Sequence, residues 1–389
     1  MRKLMQPMLS AALAALAILV PAPAFAGGYD TGEQDWDFLF QEKAISFESA
    51  VRYIAPQRTL NNIVGVFGPS IDATEAEAFA IPRLSMTARL GDTAACMASY
   101  REPWGGHADY GAFWTYAASA VEQHFSSQDY GLTCSARYQL SKGQLHFIGG
   151  VSYQTIDYEL TRAIGVGAMA RTAVSDSGIG WRAGVAFEIP EYALRASLIY
   201  NSEIDYRMSG TLSAGPAIIP IFGNISMPQS IELKVRSGIA PGWLAFGSVK
   251  WTDWSVTDNM WLCPAGVPAC GAPAAVSALT LLWKDTFTVT LGVAHQFNDA
   301  VSLATSLTWD QGATQGFTSQ TDTWVADATV VIIPNDNVEL SFGANIGVMT
   351  GGALSTMVLP GGIPNPVGFT ATFGNDVLYG FSAKAKLRF

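Results

Sequence analysis

The chain has 389 residues, of which 49% are hydrophobic and only 14% charged, with a net charge of -10. So few charges are unusual for a soluble protein of this length, and the acidic balance excludes nucleic acid as a partner. No run of 18 apolar residues follows the N-terminal leader, which excludes helical membrane spans, and neither a metal nor a cofactor is expected because the four cysteines and four histidines do not cluster.

Arg2 and Lys3 precede an apolar run over 11–20, and Ala24 and Ala26 fit the small-x-small cleavage rule. Residues 1–26 therefore read as an export signal peptide. Residues 27–44 form no strand pattern, yet hold Trp36, Phe38, Leu39 and Phe40 among Asp30, Glu33, Asp35 and Asp37. Such an amphipathic stretch ahead of the first strand reads as a plug, or hatch, folded inside a lumen.

From 45 to 389 the chain alternates with period two, which places successive side chains on opposite faces of a strand. Ile45, Phe47, Val51 and Tyr53 oppose Glu48 and Arg52; Leu84, Met86, Ala88 and Leu90 oppose Arg83, Ser85, Thr87 and Arg89. Similar ladders follow through Tyr130–Leu140, Tyr192–Tyr200, Trp243–Trp251, Phe287–Phe297 and Trp324–Ile332, many of them ended by aromatics. The last is Tyr379, Phe381, Ala383, Ala385, Leu387 and Phe389 against Ser382, Lys384, Lys386 and Arg388. About fourteen strands result, an even number, which fits an all-β transmembrane antiparallel barrel with the plug in its lumen. Short turns, as at Gly91-Asp92 and Ala240-Pro-Gly242, alternate with long connections near 61–80, 103–127, 158–178, 204–228, 255–283, 311–322 and 349–377. That alternation predicts an outer-membrane, multi-pass barrel with periplasmic turns, outer loops and both termini periplasmic.

The phase opposite the lipid-facing one is basic. It carries Arg52, Arg89, Arg137, Arg195, Lys234, Arg236, Lys250, Lys384, Lys386 and Arg388, against few acids such as Glu48, Glu232, Asp327 and Glu339. A cationic lining favours an anionic head group, although polar interiors that merely pair across strands are general in barrels. Phe113, Trp114, Ile219, Phe222 and Leu281 put apolar surface on the loops, where a hydrophobic ligand would be captured. Cys263 and Cys270 bracket a turn-rich stretch suited to a disulfide, whereas Cys96 and Cys134 read either as small lipid-facing residues or as a cross-strand pair.

Three stretches resemble the FadL/TodX long-chain fatty acid transporters. Met227-Pro-Gln-Ser-Ile-Glu-Leu-Lys234 with Ala240-Pro-Gly-Trp-Leu-Ala-Phe246 and Lys250-Trp-Thr-Asp-Trp-Ser255 resembles their eighth and ninth strands. The stretch from Leu282-Trp-Lys-Asp to Gln296-Phe-Asn298, with Trp309-Asp310, is similar to the tenth and eleventh, and Tyr100-Arg-Glu-Pro-Trp-Gly-Gly-His-Ala-Asp-Tyr110 to the third. The resemblance implies a plugged fourteen-stranded barrel that takes hydrophobic ligands from outside and releases them through a lateral gap at a kinked third strand. Pro103, Gly105 and Gly106 are the nearest kink candidates, since proline cannot donate to the ladder. The family's Asn-Pro-Ala signature near the hatch is absent, and the segment before the barrel is shorter than in the family. The resemblance also makes Phe389 the terminal aromatic through which the outer-membrane assembly machinery would engage the last strand.

The function expected is passive uptake of hydrophobic compounds, fatty acids or similar amphiphiles, with outer-membrane lipid as surroundings. A general diffusion porin with a basic lumen is the alternative. An enzyme is not expected: His107 with Asp109 is the best acid–base pair, and no positioned nucleophile accompanies it.

Overall fold

The computed structural model describes residues 28–354 except 33, 66 and 113, together with 358–359, 363–364 and 369–389. The leader over 1–26, Glu33 and Phe113 lie outside the described residues.

Fourteen strands close into a barrel: β1 (Ile45–Pro56), β2 (Phe79–Leu90), β3 (Ala94–Arg101, resuming as Gly105–Asp109), β4 (Glu122–Leu140), β5 (Gly143–Gly165), β6 (Ala168–Ile189) and β7 (Leu194–Asn201). The circuit continues with β8 (Ser230–Ala240), β9 (Trp243–Thr252), β10 (Thr286–Asn298), β11 (Val301–Asp310), β12 (Thr323–Asn335), β13 (Val338–Met349) and β14 (Asp376–Arg388). Each runs antiparallel to its neighbours. β1 closes the ring, with Phe47 opposite Met86 of β2 on one side and Leu387 of β14 on the other. Closure pairs the backbone that lipid cannot hydrate.

Alternation sets the two faces. Phe47, Val51 and Tyr53 are exposed to the outside, while Ser46 and Glu48 between and beside them are buried inward. Outward aromatics meet across strands at one level: Tyr100 with Tyr130 (ring centroids 5.3 Å apart), Trp181 with Tyr200 (5.1 Å) and Trp309 with Trp324 (6.2 Å). Such a girdle marks the boundary of the apolar band. A disulfide joins Cys96 to Cys134, directly opposite partners on the outward phase of β3 and β4. A second joins Cys263 to Cys270 within the β9–β10 connection.

One connection differs from expectation. Residues 158–178 are not a loop, because β5 and β6 continue as a paired hairpin to a turn at Val166–Gly167. Beyond the aromatic level the meaning of the alternation reverses. Asp157 and Glu159 now face out, while Ile156, Tyr158 and Leu160 are buried inward. Once outside lipid, a wall turns its polar side to water and its apolar side to the interior, so a search for lipid-facing apolars passes over it. Likewise, 204–228 is folded into Ile204–Tyr206, Ser209–Ala214, Ala217–Phe222 and Ile225–Met227. Among the described residues no helix is long and apolar enough to cross a membrane.

Candidate functional site

Two features of the wall and one of the N-terminal segment build the site. β3 breaks at 102–104. Arg101 lies opposite Asp129 of β4, yet Gly105 lies opposite Ser126, so β3 takes four steps where β4 takes three. The extra residue is a bulge, and it re-aims the strand beyond it. Ser127 holds the displaced backbone from both sides: Trp104 N donates to its Oγ, and the same hydroxyl donates to Trp104 O, each at 2.8 Å. On the other flank, pairing between β2 and β3 ends at Arg83 with Arg101. The ladder register of Phe79 to Pro82 is with β1, and just before them Glu77 N donates to His107 O of the upper part of β3 (3.0 Å). A seam is left between β2 and the upper part of β3.

The N-terminal segment docks against this break. Thr31 N donates to Pro103 O (3.0 Å) and Gly105 N donates to Tyr29 O (2.9 Å), while the Thr31 hydroxyl donates to Glu102 O. Glycine is needed at 106 for that approach, since a Cβ there would lie 2.9 Å from the Tyr29 ring. Tyr29 in turn stacks on Phe125 (4.5 Å) and meets Trp283 edge-on (4.9 Å).

Farther along, a short 3-10 turn, Trp36–Phe40, buries Trp36, Phe38 and Leu39 against the inward apolar residues Met97, Ile148, Ala186 and Ile199. The acids around it meet the basic wall. Asp37 pairs with Arg195 (2.8 Å) and lies 3.9 Å from Arg236; Asp30 pairs with Lys250. Asp35 sits 3.7 Å from Lys384 and 3.8 Å from Lys386. Arg195 and Arg182 also cover the rings of Phe40 and Trp36, at 4.3 Å and 4.9 Å.

Lys386 is fully buried among Asp35, Glu48 and Glu339, at 3.5 to 3.8 Å. Removing the cation leaves three carboxylates facing one another. Lys386→Met is therefore expected to destabilise the folded barrel, since unpairing a buried charge costs about 3–5 kcal/mol. The checking measurement is the temperature at which the folded form loses its gel mobility; an unchanged temperature counts against the network.

Two cavities flank the docked segment. The mid-lumen cavity, about 150 Å³, is lined by Thr31, Gly32, Asp35 and Asp37 of the segment and by the wall around it. Eight of its lining side chains are cationic (Arg52, Arg83, Arg101, Arg195, Lys234, Arg236, Lys250, Lys384) and five are acids. It also reaches Val51, Ile81 and Pro82, at the seam between β1, β2 and β3. The loop-end cavity, about 270 Å³, lies on the other side of Tyr29 and Asp30. Its walls are largely apolar: Leu60, Leu279, Leu281, Trp283, Phe317, Met349, Leu354, Phe369 and Leu378. Arg58 is in this lining but is fully engaged, donating to Asp376 Oδ2 (2.9 Å), Gly374 O (3.1 Å), Thr350 O (3.3 Å) and Thr321 Oγ1 (3.0 Å). Glu75 stands beside it. Burial pushes its carboxyl up, against the opposing pull of Ser319, Arg58 and Tyr110. Tyr110 is pushed up as well, by burial and by Glu75.

Of the basic residues expected in the lumen, Arg52, Arg195, Lys234, Arg236, Lys250 and Lys384 come together around the mid-lumen cavity. Arg89, Arg137, Lys386 and Arg388 do not line it. Arg89 and Arg137 hold the turn end, donating to Glu42 O and Asp92 O, and Arg388 pairs with Glu339 and Gln41. The loop apolars also separate. Leu281 lines the loop-end cavity, whereas Trp114 is buried in loop packing against Tyr110, Tyr116 and Phe369. Ile219 and Phe222 belong to a strand pair, with Ile219 exposed. Pro103 lies in the break, and Gly105 and Gly106 open the strand beyond it. Sequence reasoning passed over Tyr29, Arg58, Glu75 and Trp283, which sit in stretches with no periodicity.

A profile of the family described as Outer membrane protein transport protein (OMPP1/FadL/TodX) matches residues 39–333. A Pseudomonas aeruginosa FadL homologue, solved by crystallography, is similar over 96% of this chain and 100% of its own, with a TM-score of 0.75 at 14% identity. The Pseudomonas putida toluene transporter TodX is similar over 95% of this chain and 96% of its own (TM-score 0.62, 14% identity). The Ralstonia pickettii toluene transporter TbuX is similar over the same shares, 95% and 96% (TM-score 0.59, 14% identity). At such identities the likeness shows the fold, a plugged barrel. A search of curated protein sequences found no match.

Proposed function

The chain belongs to the OMPP1/FadL/TodX family of outer-membrane transport proteins, and from that premise we propose that it takes up long-chain fatty acids or similar amphiphiles passively. In this reading the loop end faces outward and both termini face the periplasm. A ligand enters the apolar loop-end cavity, passes the docked N-terminal segment into the mid-lumen cavity, and leaves sideways through the seam beside the β3 break.

The observation that carries the reading is the order of the cavities. An apolar chamber behind the loops lies on one side of the docked segment and a chamber with an excess of cations on the other, and the second reaches Ile81 and Pro82 of β2, beyond the end of the β2–β3 ladder. An anionic head group gains from that excess, whereas a bare hydrocarbon does not. Arg236 is the residue most suited to receive it: among the described residues its ion-pair partner is Asp37, at 3.9 Å, and its buried Nε makes no hydrogen bond.

The test is uptake by cells lacking the protein, with and without its gene restored, using a long-chain fatty acid, an alkane and toluene, the compound in the names of the TodX and TbuX transporters. Restoration is expected to raise fatty acid uptake most, and Arg236→Gln to lower it selectively. Equal uptake of all three with and without the gene refutes transport; restored uptake of toluene alone refutes the fatty acid assignment.

A further inference from the structure

The two cavities differ in the polar atoms they leave unmet, and the difference assigns a ligand chemistry to the loop-end one. Glu75 Oε2 is buried there without a hydrogen-bond partner, and so are Gln320 Oε1 and Thr280 Oγ1. The Tyr110 hydroxyl donates to the remaining carboxylate oxygen, Glu75 Oε1, over a long 3.4 Å, and Ser319 is the other hydroxyl that acts on this carboxyl. Two of the three unmet atoms are acceptors and the third is a hydroxyl. The guanidinium in the same lining, Arg58, is taken up by Asp376, Thr321 and two backbone carbonyls, so it has nothing to offer an anion. Buried acceptors left unmet are costly, and a bound donor relieves that cost.

We propose that the loop-end cavity binds a hydrophobic molecule through a hydrogen-bond-donating hydroxyl, that of an alkanol, a phenol or an un-ionised carboxylic acid, given to Glu75, and that it rejects the ionised carboxylate. The apolar part of the molecule lies against Leu279, Leu281, Trp283 and Phe369. An ionised carboxylate brings no donor and sets a second negative charge beside Glu75. Fatty acids therefore pass this first chamber in their neutral form, and the cation-rich chamber beyond the docked segment receives the anion. The inference rests on the uptake reading in taking the loop-end cavity as the place of first contact.

The experiment is calorimetric titration of the purified full chain in detergent with decanol, with its isomer methyl nonyl ether, and with ionised decanoate. Decanol is expected to bind about tenfold more tightly than the ether, the worth of one hydrogen bond to a charged group. Glu75→Leu is expected to erase that preference and Glu75→Gln, which keeps an acceptor oxygen, to retain it. Decanoate is expected to show no binding that depends on Glu75. Heat-modifiable gel mobility establishes that each variant is folded. Equal binding of decanol and ether by the parent overturns the proposal, as does a preference that survives in folded Glu75→Leu. Uptake failing in cells while the decanol preference holds ends the transport reading alone; uptake with no preference ends this inference alone.

Discussion

A chain carrying Asp35→Asn and Asp37→Asn together is expected to conduct ions through a lumen that the parent keeps shut. The part of the docked segment around the 3-10 turn is tied to the wall by those two carboxylates, Asp37 to Arg195 and Arg236 and Asp35 to Lys384 and Lys386. Asparagine keeps the shape and removes the charge, so cations that had been neutralised become uncompensated. Breaking a buried pair costs about 3–5 kcal/mol, which moves a docking equilibrium by about two to nearly four orders of magnitude. The apolar contacts of Trp36, Phe38 and Leu39 remain, with the Asp30–Lys250 pair and the backbone bonds at Tyr29 and Thr31 farther up the segment. Planar-bilayer recording checks it: the double variant should show steady open-channel current, with Asp37→Asn alone intermediate. Silence from the double variant means that packing, not charge, holds the segment in place. A large steady conductance in the parent would instead favour a diffusion porin.

Deleting Pro103 is expected to abolish uptake while leaving the barrel folded. The break contains one residue more than the opposing strand, and its removal brings the Arg101–Asp129 and Gly105–Ser126 registers into line. β3 then pairs continuously with β4, and its upper part swings back beside Phe79 to Pro82 of β2. A paired sheet is closed to a hydrocarbon chain. Uptake should fall to the level of cells without the protein, and because Gly105 to Ala108 also line the loop-end cavity, titration of the variant shows separately whether that cavity still binds. Cell uptake and titration on the same variant decide it: retained uptake shows that ligands leave along the barrel axis.

The barrel was legible because lipid imposes a period of two, and each strand from Ile45 to Phe389 carries that period in its own residues. The alternation of short and long connections was legible for the same reason, since turns interrupt periodicity. What stayed hidden depends on positions far apart in the chain. Arg58 meets Asp376, and Asp35 meets Lys386, across almost the whole length; nothing local in either residue names its partner. The basic lining was visible as a set, but its division into residues around a cavity and residues bracing the turn end follows from depth along the barrel, which phase does not encode. The β5–β6 extension was missed because its alternation kept its period and exchanged its polarity. The loop-end cavity draws short runs, such as Gly105 to Ala108, Leu279 to Leu281 and Phe317 to Thr321, from stretches far apart in the chain, and no one of them foreshadows the cavity.

The disulfide between Cys96 and Cys134 gives this wall a mechanical direction. It fastens β3 to β4 below the break, on the flank away from the seam. Hydrogen bonds along a ladder can part a few at a time under load; a covalent rung does not. In the lateral route proposed above, strain from a bulky passenger would be shed toward β2, where the ladder does not continue beyond Arg83 and Arg101, and not toward β4. On that route the wall would yield like a door hung on one jamb, stiff along its hinge and compliant along its free edge, with the direction of opening set by sulfur chemistry completed before any ligand arrives.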